Sequence, residues 1–233
     1  MITNSVLAQN SVRGTQPLAK PVPRPKCHEY YLTLLRSLPL ACNAARNPIS
    51  AVGITSCYAG EGVSTVAVQL ALAAVSTGMR VVLVDLNWRR PAVHRLFNVP
   101  AGPGVSEALS GLVDSDSCIQ PSPIAGLSLM TAGAVAGHVN AAASLDQLGG
   151  LIRSLRADYE LLIFDLPESA PAGSDLPVGR MLDGIVMVIE AHRVRWEVAA
   201  RVQELLSRAG VNVLGAVLNK RRQPIPGWLY RTL

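Results

Sequence analysis

Positions 60–65 read Gly-Glu-Gly-Val-Ser-Thr, a glycine-rich turn that ends in two hydroxyls. Chemistry of that type belongs to a phosphate cradle. Glycines let a backbone bend tightly around an anion, and a following helix adds unpaired N–H groups and the positive end of its dipole. In a loop of type G-x-x-x-x-G-K-S/T, the lysine reaches the β- and γ-phosphates and the next hydroxyl holds Mg²⁺. Here Ser64 and Thr65 remain, and Val63 stands where the ammonium is expected. At about 4 Å and an effective dielectric near 20, one such charge pair is worth roughly 4 kcal/mol. Its loss weakens nucleotide binding by up to about a thousandfold and removes charge stabilisation from phosphoryl transfer. The only lysines are Lys20, Lys26 and Lys220, so Arg89 or Arg90 is the expected substitute cation. An arginine fork holds phosphate bidentately without reproducing a lysine point charge.

Two acids complete the constellation. Val81-Val82-Leu83-Val84-Asp85 and Leu161-Leu162-Ile163-Phe164-Asp165 both read as buried strands ending in a carboxylate. Either alone is weak evidence, because strands often end in a turn-forming Asp. Together with the loop they supply what a Mg²⁺-nucleotide site requires, a hydroxyl and carboxylates for the metal.

The elements that position these residues alternate along the chain. Ile49–Ile54 is an apolar run leading into the loop, and a helical pattern runs from Ser64 to Ser76, closed by Gly78. His28–Leu40 reads as a short helix, Leu127–Thr131 as a short strand, and Leu145 to Leu155 as one apolar helix face. Gly184–Ile189 and Val211–Leu218 read as strands flanking the helical stripe Val194, Val198, Val202, Leu205/Leu206 and Ala209. Near-continuous apolar strands alternating with amphipathic helices predict an α/β fold, a mostly parallel central sheet with helices on both faces. In such sheets ligands sit at the carboxyl ends of the strands, where the loop, Asp85 and Asp165 all fall.

The 233 residues suit one domain of residues 27–219 between a basic, Pro-containing, flexible leader of residues 1–26 and a basic tail of residues 220–233. The net charge of +5 sits in these ends, and the middle is net negative. That distribution argues against nucleic acid and for an anionic membrane surface or an acidic partner. No apolar run is long enough for a membrane helix, and no signal peptide is expected. Cys27, Cys42, Cys57 and Cys118 lack metal-ligand spacing and read as reduced cytosolic thiols. A dinucleotide oxidoreductase is disfavoured because Thr65 occupies the third glycine position of that fingerprint.

Ser56-x-x-x-Gly-Glu-Gly-x-Ser-Thr, Val84-Asp85-x-Asn87-x-Arg89-Arg90-Pro91 and Phe164-Asp165-x-Pro167 resemble the bacterial tyrosine kinases of capsule and exopolysaccharide synthesis, a branch of the MinD/ParA-like P-loop ATPases. The resemblance implies that Gly60, Glu61, Gly62, Val63, Ser64 and Thr65 form the nucleotide loop for ATP or ADP. It implies Ser64, Asp85 and Asp165 as Mg²⁺ positions, Asp85 as the catalytic acid of an active member, and Asn219 as the adenine reader. It also implies a transmembrane polysaccharide chain-length regulator as partner, and a cytoplasmic protein peripheral to the inner membrane. Four features depart from the family pattern: Val63, Asn87 in place of a second acid, Leu32 and Leu35 in place of the arginines of a self-association motif, and a tyrosine cluster reduced to Tyr230. These departures predict a catalytically degenerate regulatory subunit whose self-association is weakened. Two other activities fit the same fold, an active tyrosine autokinase with Arg89 or a partner group replacing lysine, and a MinD/ParA-like positioning ATPase. Val63 counts against both.

Overall fold

The computed structural model describes residues 5–7, 25–38, 48–134, 141–169 and 176–221. Its strands are β1 (Ser5–Leu7), β2 (Ala51–Ser56), β3 (Val81–Asp85), β4 (Gln120–Pro121), β5 (Leu127–Met130), β6 (Leu161–Asp165), β7 (Gly184–Glu190) and β8 (Val213–Asn219). They form one eight-stranded sheet in the order β1-β8-β7-β2-β6-β3-β5-β4. Every pair is parallel except β4 with β5. The helices are α1 (Pro25–Ser37), α2 (Val63–Ser76), α3 (Val93–Phe97), α4 (Val105–Leu109), α5 (Ala141–Asp158), α6 (Leu176–Gly179) and α7 (Trp196–Arg208).

The expected mostly parallel α/β sheet is what the chain builds. Every residue of β2, β3 and β6 is buried, which is why these strands read as continuous apolar runs instead of alternating ones. Two apolar clusters sandwich them. On one face α1 and α2 pack through Tyr31, Leu34, Val66 and Leu70, and on the other α5 and α7 pack through Leu148, Leu155, Val202 and Leu206.

The ends of the chain depart from the expected boundaries. Within the stretch read as a flexible leader, Ser5–Leu7 pairs with Ala216–Leu218 and becomes the edge strand. The first helix starts at Pro25 and not at His28, as suits a residue whose missing N–H costs nothing at the first helical position. Leu35 is buried and Leu32 packs against the same cluster, so both residues that replace the self-association arginines turn toward this chain's own core. The loop helix begins one residue earlier than its hydroxyls, at Val63. Tyr230, Cys42, His138 and the tail from residue 222 onward lie outside the described residues.

Candidate functional site

Residues 57–62 leave β2 and enter α2 through two left-handed glycines, Gly60 (φ 86°) and Gly62 (φ 99°). Gly62 is required twice over. A Cβ there would overlap the Asn219 side-chain amide, which the Glu61 carbonyl holds in place, and the backbone lies in a region that side chains avoid. The first turn of α2, as in every helix, carries N–H groups with no partner inside the helix. Those groups and the bend make the cradle read from the sequence.

Val63 does not reach over that cradle. It is buried and joins the apolar cluster beneath α1 and α2. The neighbouring Ser64 and Thr65 are part-exposed. Glu61 is fully buried, and its carboxylate accepts the backbone N–H groups of Tyr58 (2.6 Å) and Glu190 (3.1 Å). Burial pushes its pKa up, and those two hydrogen bonds pull part of the way back.

The two acids stand side by side, Asp85 opposite Asp165 in the β3–β6 register. Their surroundings differ sharply. Asp85 accepts the N–H groups of Asn87 (3.0 Å), Ala92 (2.9 Å) and Val93 (3.0 Å), and so caps the start of α3. Burial raises its pKa against the pull of those donors. Asp165 is wholly buried, and neither carboxylate oxygen accepts a hydrogen bond of ordinary geometry. Burial first, and then the Asp85 charge, push its pKa well above the ordinary carboxylate range, and the Ser64 hydroxyl beside it offsets only part of this. A buried carboxylate with both oxygens unpartnered is costly unless something occupies them. Asp165 with the Ser64 hydroxyl therefore fits a hard divalent ion such as Mg²⁺, which takes few carboxylates and keeps its waters, whereas Asp85, expected as a third donor, has both oxygens taken up by backbone N–H groups. Among the described residues no set of three or more His, Cys, Asp or Glu side chains is gathered around a metal position. Asn87 turns its amide oxygen to the Arg90 N–H (3.2 Å), closing the turn after β3.

The expected substitute cations, Arg89 and Arg90, lie on the turn after β3. Arg89 lies 4.0 Å from Glu168 and is largely exposed, and Arg90 is exposed. Among the described residues, the cations that touch the loop are two that sequence reading passed over. Lys220, assigned to the tail, donates to the Gly60 carbonyl (2.6 Å) and to Glu190 (3.1 Å). Arg193 donates to the Ala59 carbonyl (3.3 Å) and to the same Glu190 (2.9 Å). Asn219 donates to the Glu61 carbonyl (2.7 Å) and accepts the Lys220 N–H (2.9 Å). Three successive loop carbonyls are thus held by side chains from the ends of β7 and β8. The tail boundary falls after Lys220, whose left-handed backbone (φ 55°) folds the residue against the loop. No spacing in the sequence relates positions 59–61 to 193 or 220; only the parallel β2–β7–β8 order brings them together.

Residues 49–226 match the family model of ParA, described as NUBPL iron-transfer P-loop NTPase. The chain belongs to the ParA family of P-loop NTPases. Among its relatives is the tyrosine-protein kinase YwqD of Bacillus subtilis, 28% identical over 205 residues, covering 88% of this chain and 86% of that protein. The kinase domain of the Escherichia coli tyrosine kinase ETK superposes with a TM-score of 0.83 at 22% identity, over 97% of this chain and 94% of that one. The septum site-determining protein MinD of Pyrococcus horikoshii, solved as its complex with Mg-ADP, superposes at a TM-score of 0.64 and 20% identity, over 78% and 76% of the two chains. These two structural likenesses place the fold as that of the ParA family.

Proposed function

We propose that this chain is a degenerate member of the tyrosine-kinase branch of the ParA family, a regulatory or scaffold subunit of a machine that makes and exports a surface polysaccharide. In this reading it docks on a transmembrane chain-length regulator and is held at the membrane by that partner. The observation that carries the reading is Val63, buried at the head of α2 in a loop otherwise shaped for phosphates. The family motifs around it and relatives such as YwqD, a tyrosine-protein kinase, support the branch.

The retained and the missing parts divide by task. The loop N–H groups would take up the phosphates of ATP or ADP, and Ser64 with Asp165 would hold Mg²⁺, whose charge would offset that of the phosphates. Transfer needs more. Asp85 already accepts three backbone N–H groups, which leaves it a poor base for a tyrosine hydroxyl. Position 87 is an amide, and the ammonium is absent. Binding without an ammonium at position 63 should be weak, and phosphorylation of Tyr230 should not occur.

The experiment is a pair of measurements on purified protein. Calorimetry of Mg-ATP should give weak or no binding to the wild type, and Val63→Lys should tighten it by about one to three orders of magnitude, within the roughly 4 kcal/mol ceiling of the restored charge pair. Radiolabelled ATP with the partner's cytoplasmic segment should leave no label on tyrosine. The unpartnered oxygens of Asp165 favour the rival reading, an active autokinase with an intact metal site. Label on Tyr230, or low-micromolar affinity without the substitution, would establish that rival.

A further inference from the structure

The turn between β7 and α7 carries the most exposed large apolar side chain among the described residues, Trp196, at 76% of its full exposure. It is not alone. His192, Arg193 and Arg195 are exposed beside it, and Val194 anchors the turn by packing against the core beneath. Lys220 and the exposed Arg221 continue the patch, because Glu190 bonds both Arg193 (2.9 Å) and Lys220 (3.1 Å). Tyr58, 40% exposed, lies on the adjoining loop. The acids nearby are Glu190, already shared between two cations, and the exposed Glu197.

An indole in water flanked by arginines is the composition of a membrane-interface contact. The ring settles at headgroup depth while guanidinium groups meet lipid phosphates. The patch is made of the turn after β7 and the first residue of α7, at one end of the sheet. The geometry points to this patch, His192 to Trp196 with Lys220 and Arg221, as a surface that seats directly on an anionic phospholipid leaflet. Such contact needs no protein partner, so it goes beyond the reading above, and its failure would leave that reading standing. Each cation brought near an anionic surface adds attraction only within about a Debye length.

Co-sedimentation of the full chain with vesicles tests this. Vesicles of phosphatidylglycerol and phosphatidylcholine should retain the wild type at physiological salt, and vesicles of phosphatidylcholine alone should not. Arg195→Ala combined with Trp196→Ala should weaken retention by about tenfold with an unchanged melting temperature. In a Trp228→Phe background, brominated lipid should quench indole fluorescence, and Trp196→Phe should abolish that quenching. Retention unaffected by the double substitution, equal retention on neutral vesicles, or no retention at all overturns the proposal. Tighter capture by a DNA duplex than by the anionic vesicles overturns it too, and reassigns the patch to nucleic acid.

Discussion

Asp165 is a fully buried carboxyl with both oxygens unpartnered, and this has a measurable consequence for stability. In the unfolded chain it ionises in the ordinary carboxylate range. In the folded chain burial, and after it the Asp85 charge, keep its proton on to well above that range. The folded state therefore binds the proton more tightly, so this contribution to stability is complete at low pH and is lost as pH rises through the raised folded value. Asp165→Asn removes the ionisation. Thermal melts should show the wild type losing stability from mildly acidic to mildly alkaline buffer, and the variant losing much less, with about 2–4 °C for each kcal/mol. Added Mg²⁺ should raise the alkaline melting temperature of the wild type and leave the variant unmoved, since a ligand stabilises only the state that binds it. A variant with the wild-type slope would mean that Asp165 is not the group that titrates. The sequence made Asp85 and Asp165 legible as a pair, because each ends an apolar run. It did not tell them apart. That Asp85 is consumed in capping α3 depends on the turn closed by Asn87, which shows only once β3 and α3 are in place.

The loop is an element whose shape is imposed from outside it. The Ala59, Gly60 and Glu61 carbonyls are held by Arg193, Lys220 and Asn219 in turn. The glycines and the helix were readable because local geometry demands them. The three holding side chains were not, since they arrive from strands far along the chain, and Lys220 looked like the start of a basic tail. The Glu190 carboxyl between the two cations is pushed up by burial, yet the bonds from Arg193 and Lys220 bring its pKa below the ordinary value. Lys220→Ala should leave the fold intact and loosen the loop. Hydrogen exchange of loop amides should quicken by about fivefold, which corresponds to the roughly 1 kcal/mol of a part-exposed ion pair. Exchange unchanged from wild type would show that glycine geometry alone keeps the loop in shape.

The whole molecule divides into two ends, one for the site and one for stability. At the end of the sheet opposite the loop, Asp183 accepts the backbone N–H groups of Ser50 (2.8 Å) and Ala51 (2.8 Å) and both guanidinium nitrogens of Arg156 (2.9 and 3.1 Å). Arg156 also donates to the Ser50 hydroxyl. This knot ties α5 to the starts of β2 and β7. Asp183→Ala strands an arginine and two N–H groups, at a cost of about 2–4 kcal/mol. Melting should fall by roughly 5–15 °C, while the affinity of the loop for Mg-ATP stays as in wild type. A changed affinity would join the two ends and refute the division. The parallel sheet was legible from its apolar runs. The knot was not, because Arg156 lies in a helix, Asp183 in a turn, and only the packed fold joins them. β1 and β4 escaped notice for another reason, being too short to carry a pattern.

Cys57, the first residue of the loop, is fully buried, with its thiol pushed up to about 12 by burial and then by the Glu61 charge. Only a thiolate attacks an alkylating reagent, so at neutral pH this sulfur is depleted of its reactive form by about a thousandfold relative to a free cysteine. An opening of the loop that let water reach the thiol should restore that reactivity. Cys57 is thus a built-in chemical timer, and its alkylation rate counts loop openings. With Cys42 replaced by serine, Cys57 should label slowly, in step with the amide exchange of the loop, and faster in Lys220→Ala. Labelling at the rate of a free thiol would mean that the loop spends most of its time open, and that the cradle is assembled only when an anion arrives.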